Sequence, residues 1–93
     1  QNGVPFMQAD EIAQTFRKWE ALFTTRKFYL TTVPTYAGGP MAMGFAAKKK
    51  VDLPSIETLN DRVNKLGALR YYTPSIHHSS FSLPQYVANL IFN

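Results

Sequence analysis

Few residues in this chain are of the types that do chemistry. Tyr36 stands in VPTYAGGPM, Val33 to Met41, where Pro34 and Thr35 precede it and Gly38, Gly39 and Pro40 follow. A phenol both donates and accepts a hydrogen bond, and a turn built from glycine and proline can hold one out from the end of a strand. Two readings compete: Tyr36 is an aromatic turn residue covering a glycine, or the turn exists to present it to a ligand. The second polar feature is Gln1-Asn2-Gly3, directly before a helical pattern. That placement reads as a strand-to-helix turn, and open α/β sheets bind ligands where such turns lie, at the carboxyl ends of their strands.

The remaining candidates are weaker. His77 and His78 are the only histidines, and there is no cysteine. Neighbouring side chains point about 100° apart on a helix and to opposite faces on a strand, so one metal would rarely take both. No metal is expected, and one imidazole is read as packed or hydrogen-bonded. The acids are Asp10, Glu11, Glu20, Asp52, Glu57 and Asp61. All fall at helix starts or on polar helix faces, and no pair has a reason to converge for acid–base work. There is no nucleophile elbow and no phosphate-cradling loop; AGGP is too short and lies in a hairpin. A complete catalytic apparatus is not encoded here.

The elements that must position Tyr36 and Gln1 follow from periodicity. Ile12, Phe16, Trp19 and Phe23 are spaced four, three and four apart, one apolar stripe of a helix that starts at Ala9 or Asp10 and ends at Thr24-Thr25. Phe28 to Val33 reads as a strand closed by Pro34, and Met41 to Ala47 as a second, joined to the first as an antiparallel pair. Gly44 inside that strand implies a bulge or a close backbone approach. The matching apolar faces predict that Phe16, Trp19, Phe23, Leu30 and Phe45 are largely buried between helix and sheet. Val51 to Pro54 is a linker. Ile56, Leu59, Val63 and Leu66 mark a second helix with Gly67 as its C-cap, and Arg70-Tyr71-Tyr72 could be a short strand. Thr73-Pro74 is a helix start, and a last helix enters at Pro84.

With 93 residues, 45% of them hydrophobic, the chain is one folded domain or less. Two strands and a few helices make a sheet too small to stand alone unless well covered, so the chain reads as the trailing part of a larger α/β sheet. The first residue is not methionine, which fits a processed chain or a piece of a longer one. The start carries no signal-peptide pattern, and no apolar run approaches membrane-spanning length. The absence of cysteine is compatible with a reducing, cytoplasmic setting. The net charge is +4, densest at Lys48, Lys49 and Lys50. With no aromatic residue interleaved, that run reads as a solvated turn rather than a nucleic-acid surface.

Taken together, QNGVPF, FYLTTVPTYAGGPM and RYYTPSIHHSSFSLPQY resemble the C-terminal third of the spermidine synthases, polyamine aminopropyltransferases, and bacterial members in particular. The resemblance spans essentially the whole chain, 1–93, in the same order. It implies a methyltransferase-like doubly wound sheet, of which this chain supplies a helix, an antiparallel strand pair and further helices, starting at the carboxyl end of the fifth sheet strand.

The resemblance also implies chemistry: transfer of an aminopropyl group from decarboxylated S-adenosylmethionine to putrescine, giving spermidine and methylthioadenosine. No cofactor is implied, since the nucleoside is a co-substrate. Tyr36 matches the family tyrosine that positions the attacking amine, Gln1 a glutamine near the substrate pocket, and Met41 falls near a wall position. His77, Phe81 and Pro84 match recurring positions read as structural. The nucleoside site and the catalytic aspartate would lie upstream. A homo-oligomer is expected, without nucleic-acid or membrane partners. The rival readings are a non-catalytic binding or assembly module derived from the same fold, and a small basic nucleic-acid binder.

Overall fold

The computed structural model describes residues 1–92. The first helix, α1 (Ala9–Trp19), carries Asp10 and Glu11 in its first turn and Arg17 and Lys18 in its last, each matched to the helix dipole. It is followed by β1 (Thr25–Thr31) and β2 (Met41–Ala47), then α2 (Ile56–Val63), α3 (Pro74–Ser80) and α4 (Gln85–Phe92). Caps set two of the later starts. The Ser55 hydroxyl accepts from the Thr58 amide ahead of α2, and Thr73 does the same for Ile76 ahead of α3, with Pro74 in the first helical turn.

β1 and β2 form an antiparallel two-stranded sheet, in register from Thr25 opposite Ala47 to Thr31 opposite Met41. The described residues are therefore mixed α/β, four helices around one strand pair. Side chains alternate across a strand, so Phe28 and Leu30, opposite Gly44 and Ala42, share one face. That face meets α1 and α4 in a core of Ile12, Phe28, Ala42 and Val87, flanked by Phe16, Trp19, Leu30, Leu83, Leu90 and Ile91. Arg26 lies on the same face. Its guanidinium sits 4.0 Å from the Phe16 ring centroid and donates to the Phe16 carbonyl at 2.9 Å.

The alternation corrects one expectation. Phe45 is 38% exposed, away from the α1 interface. Because Gly44 faces Trp19, its neighbour must face the other way, where Phe45 pairs with Lys27. Phe16, Trp19, Phe23 and Leu30 are partly rather than fully buried. Gly44 marks a close approach and no bulge. A Cβ there would lie 2.6 Å from Trp19 Cη2 and 3.0 Å from Asn2 Oδ1. Trp19 is itself stacked on Phe28, 5.8 Å between centroids and 7° between planes, so the ring has little room to retreat. Gly44→Ala is therefore expected to destabilise the intact protein by about 2 kcal/mol; an unchanged denaturant midpoint would show that the ring can shift.

Element ends also differ from expectation. The first helix stops at Trp19, although a Phe23 amide to Trp19 carbonyl bond of 2.9 Å keeps one more helical turn. Thr25 starts β1 rather than ending the helix, because its hydroxyl donates to the Lys49 carbonyl at 2.9 Å and accepts from the Val51 amide at 3.0 Å. Those contacts, with Thr24 donating to the Lys48 carbonyl at 2.8 Å, tie down the exposed lysine run as a turn. α2 ends at Val63, three residues before Leu66, and Gly67 lies beyond with φ +81°. Arg70 to Tyr72 is not a strand. Tyr71 is exposed there, and the neighbouring polar groups of Thr31 and Thr32 hold the pKa of its phenol below the usual tyrosine value. Among the described residues no helix is long and apolar enough to cross a membrane.

Candidate active site

Two segments far apart in sequence meet at one corner of the molecule. The Gln1 side-chain amide donates to the Tyr36 hydroxyl at 3.3 Å, across 35 residues. Tyr36 is 48% exposed. Its loop leaves β1 through a turn closed by the Tyr36 amide on the Val33 carbonyl at 2.9 Å, and returns through Gly38 and Gly39, with φ of +96° and +122°. Gly38 also packs tightly. A Cβ there would meet Met7 Sδ at 2.5 Å and Val4 Cγ1 at 3.7 Å, so the tyrosine loop rests directly on the N-terminal segment.

The N-terminal segment is clamped from the other side by β2. The Asn2 amide donates to the Ala42 carbonyl and the Ala42 amide to the Gly3 carbonyl, both at 2.8 Å. With both backbone groups of Ala42 so used, the segment lies along the edge of β2 that β1 does not occupy. Asn2 is only 9% exposed, and its side-chain amide donates to the Thr15 hydroxyl on α1 at 2.7 Å. Gly3 at φ +78° makes the turn into α1, and the Gln8 carboxamide oxygen accepts from the Val4 amide at 3.0 Å, satisfying a free donor ahead of the helix. The structure thus brings Gln1 and Tyr36 together. Met41 opens β2 one residue before the clamped Ala42, with its side chain 2% exposed, and takes no part in the Gln1–Tyr36 hydrogen bond.

Both histidines are engaged elsewhere. His78 Nε2 donates to the Pro54 carbonyl at 2.5 Å, and His77 Nδ1 shares a 2.7 Å hydrogen bond with the Tyr72 hydroxyl. Among the described residues there is no group of three or more His, Cys, Asp or Glu that could hold a metal ion. Reasoning from the sequence did not foresee a cleft of about 490 Å³ on the other face of the sheet, where Tyr29 and Phe45 face Tyr71, His77 and Phe81. The cleft joins residues far apart in the chain, and the sequence expectation that Phe45 is buried against the helix pointed away from it. It includes neither Gln1, Tyr36 nor Met41. Asn2 was also overlooked, since nothing in the triplet marks which of its amides turns inward.

Comparison with known proteins gives these positions a context. No family model matches the chain. The polyamine aminopropyltransferase of Ruegeria sp. strain TM1040 is 47% identical over 92 residues, covering 97% of this chain and 32% of that protein. The polyamine aminopropyltransferase 1 of Pseudomonas aeruginosa strain PAO1 is 45% identical over 94 residues, and the enzyme of Pseudomonas syringae pv. tomato strain DC3000 is 40% identical over the same length; each alignment covers 98% of this chain. The chain spans about a third of the length of the curated relatives it matches. Over nearly all of its residues, it is a homologue of the C-terminal part of the polyamine aminopropyltransferases.

Proposed function

We propose that the protein is a spermidine synthase, transferring an aminopropyl group from decarboxylated S-adenosylmethionine to putrescine, and that this chain is the C-terminal portion of its catalytic domain. The observation that carries the reading is the Gln1–Tyr36 hydrogen bond, which joins two polar residues where the segment leading into α1 meets the loop that follows β1. Homology to aminopropyltransferases over 97% of the chain supports it independently.

In the reaction, the lone pair of a neutral amine attacks the methylene carbon bonded to the sulfonium. The C–N bond forms as the C–S bond breaks, and its electron pair neutralises the sulfur. The new ammonium then gives up a proton. The enzyme must hold the nitrogen in line and let only its neutral form attack. With Gln1 donating to the Tyr36 oxygen, that oxygen keeps a lone pair for an amine N–H. Accepting an N–H orients the nitrogen while leaving its own lone pair free to attack. The base and the carboxylates that would hold the diamine's ammonium lie in the upstream part of the protein. No cofactor is required.

The doubly wound sheet belongs to the same proposal. The grip of Asn2 and Gly3 on Ala42 supports it, because a strand running into Gln1 would lie beside β2. A homo-oligomer in the cytoplasm, with no nucleic-acid or membrane partner, completes the reading.

The test is release of methylthioadenosine by the intact protein supplied with decarboxylated S-adenosylmethionine and putrescine; no release, with both substrates in excess, would overturn it. Tyr36→Phe keeps the ring and removes one hydroxyl. We expect kcat/KM for the amine to fall by the equivalent of about 1–3 kcal/mol, with the KM of the nucleoside little changed. Unaltered amine kinetics would return Tyr36 to the role of turn filler.

A further inference from the structure

We infer that Asn2 and Thr15 form a positioning pair that fixes the Gln1–Tyr36 hydrogen bond from inside the fold; the functional part of this inference rests on the aminopropyltransferase reading above. Asn2 is nearly buried and is held through both its backbone and its side chain. Its backbone amide bonds the Ala42 carbonyl at 2.8 Å, its side-chain amide bonds the Thr15 hydroxyl at 2.7 Å, and its carboxamide oxygen lies against Gly44, 3.0 Å from where a Cβ would stand. One residue therefore ties the N-terminal segment to β2 through its backbone and to α1 through its side chain.

Gln1 has no comparable anchor. Its side chain is exposed and donates to the Tyr36 hydroxyl at 3.3 Å. A bond of that length between exposed groups is weak and cannot set its own geometry. The direction in which Gln1 leaves the fold is set by Asn2, one peptide away. The Tyr36 loop is fixed separately, by Gly38 on Met7 and Val4. Asn2–Thr15 thus aligns one half of the pair with respect to the other, and neither residue need touch the substrate.

The inference is tested in the intact protein with Thr15→Val, which keeps the side-chain shape but removes the acceptor, Thr15→Ser, which restores it, and Asn2→Ala. Thr15→Val and Asn2→Ala are expected to raise the amine KM by roughly five- to twenty-fold, the size of one lost hydrogen bond, while the nucleoside KM holds and Thr15→Ser stays near wild type. In a Tyr36→Phe background, Asn2→Ala is expected to add little, because both act through one contact. Independent multiplication of the two effects, or wild-type amine kinetics in Thr15→Val, would overturn the inference. A second readout needs no turnover: the NMR resonances of the Tyr36 ring, without ligand, should shift in Thr15→Val and return in Thr15→Ser. Unmoved ring resonances in folded Thr15→Val would overturn the pair even if the enzyme is active. An inactive wild type whose ring resonances respond would overturn the proposed function and leave the pair standing.

Discussion

Replacing Trp19 with alanine is expected to cost the intact protein about 3 kcal/mol of unfolding free energy, the lower end for a large aromatic residue because the indole is only partly buried. Its ring stacks on Phe28 at 5.8 Å, meets Phe23 edge-on at 5.9 Å with 78° between planes, and closes over Gly44. Removal takes a layer out of the interface between α1 and the strand pair. Gly44 has no side chain, and Phe28 is fixed in its strand by the Phe28–Gly44 register. Trp19→Phe should recover part of the loss by keeping a stacked ring. Urea unfolding monitored by far-UV circular dichroism measures it, and a loss under about 1 kcal/mol would mean that the ring contributes cover rather than packing. The effect should reach the candidate site. Trp19 and Asn2 approach Gly44 from the same side, so the cavity left by alanine opens next to the residue that aligns Gln1.

That coupling could not be read from the sequence, though much around it could. The stripe Ile12, Phe16, Trp19, Phe23 is legible because a 3.6-residue period is a local property, and it survives even past the end of α1. The bounds of β2 and the Thr73-Pro74 start of α3 are legible for the same reason, since each depends on residues within a turn or two of one another; at Gly44 the sequence left a bulge and a close approach open, because the approach is to Trp19 and Asn2, far away along the chain. Phe45 was misplaced because the facing of a strand is set by its partner. Only the pairing of Phe28 with Gly44 decides which side Phe45 takes. The Arg70 to Tyr72 segment has the composition of a strand, but no strand forms there, because the sheet consists of β1 and β2 alone among the described residues and offers it no pairing. The candidate site divides in the same way. Residue types and turn chemistry single out Tyr36 and Gln1 individually. Their contact is a product of the antiparallel pair, the φ values of Gly38 and Gly39, and the hold of Ala42 on the first residues, none of which has a local signature.

The chain on its own is expected to release no methylthioadenosine from decarboxylated S-adenosylmethionine and putrescine, whereas the proposed function expects release from the intact protein. At neutral pH the diamine is almost entirely protonated, and an ammonium has no lone pair to offer. Hydrogen bonds that orient it cannot lower that barrier without a group to take the proton and charges to hold the remaining ammonium. Gln1 and Tyr36 provide orientation only, and no acidic side chain is among their hydrogen-bond partners. The isolated chain should also behave poorly as a solute. Phe6, Met7, Leu22 and Phe92 are largely exposed, and beyond Ala42 the outer edge of β2 is unpaired among the described residues. Exposed edges and apolar patches recruit partners, so the isolated chain should self-associate, and the upstream part of the protein should reverse this when added. Turnover by the purified chain alone would show that the chemistry has been assigned to the wrong part of the protein. A dispersed, inactive monomer with protected amides would leave the assignment of the chemistry intact and refute the argument from exposed surface. Activity restored on mixing the two parts is the expected result, because the Gln1–Tyr36 pair would then face the carboxylates that it lacks.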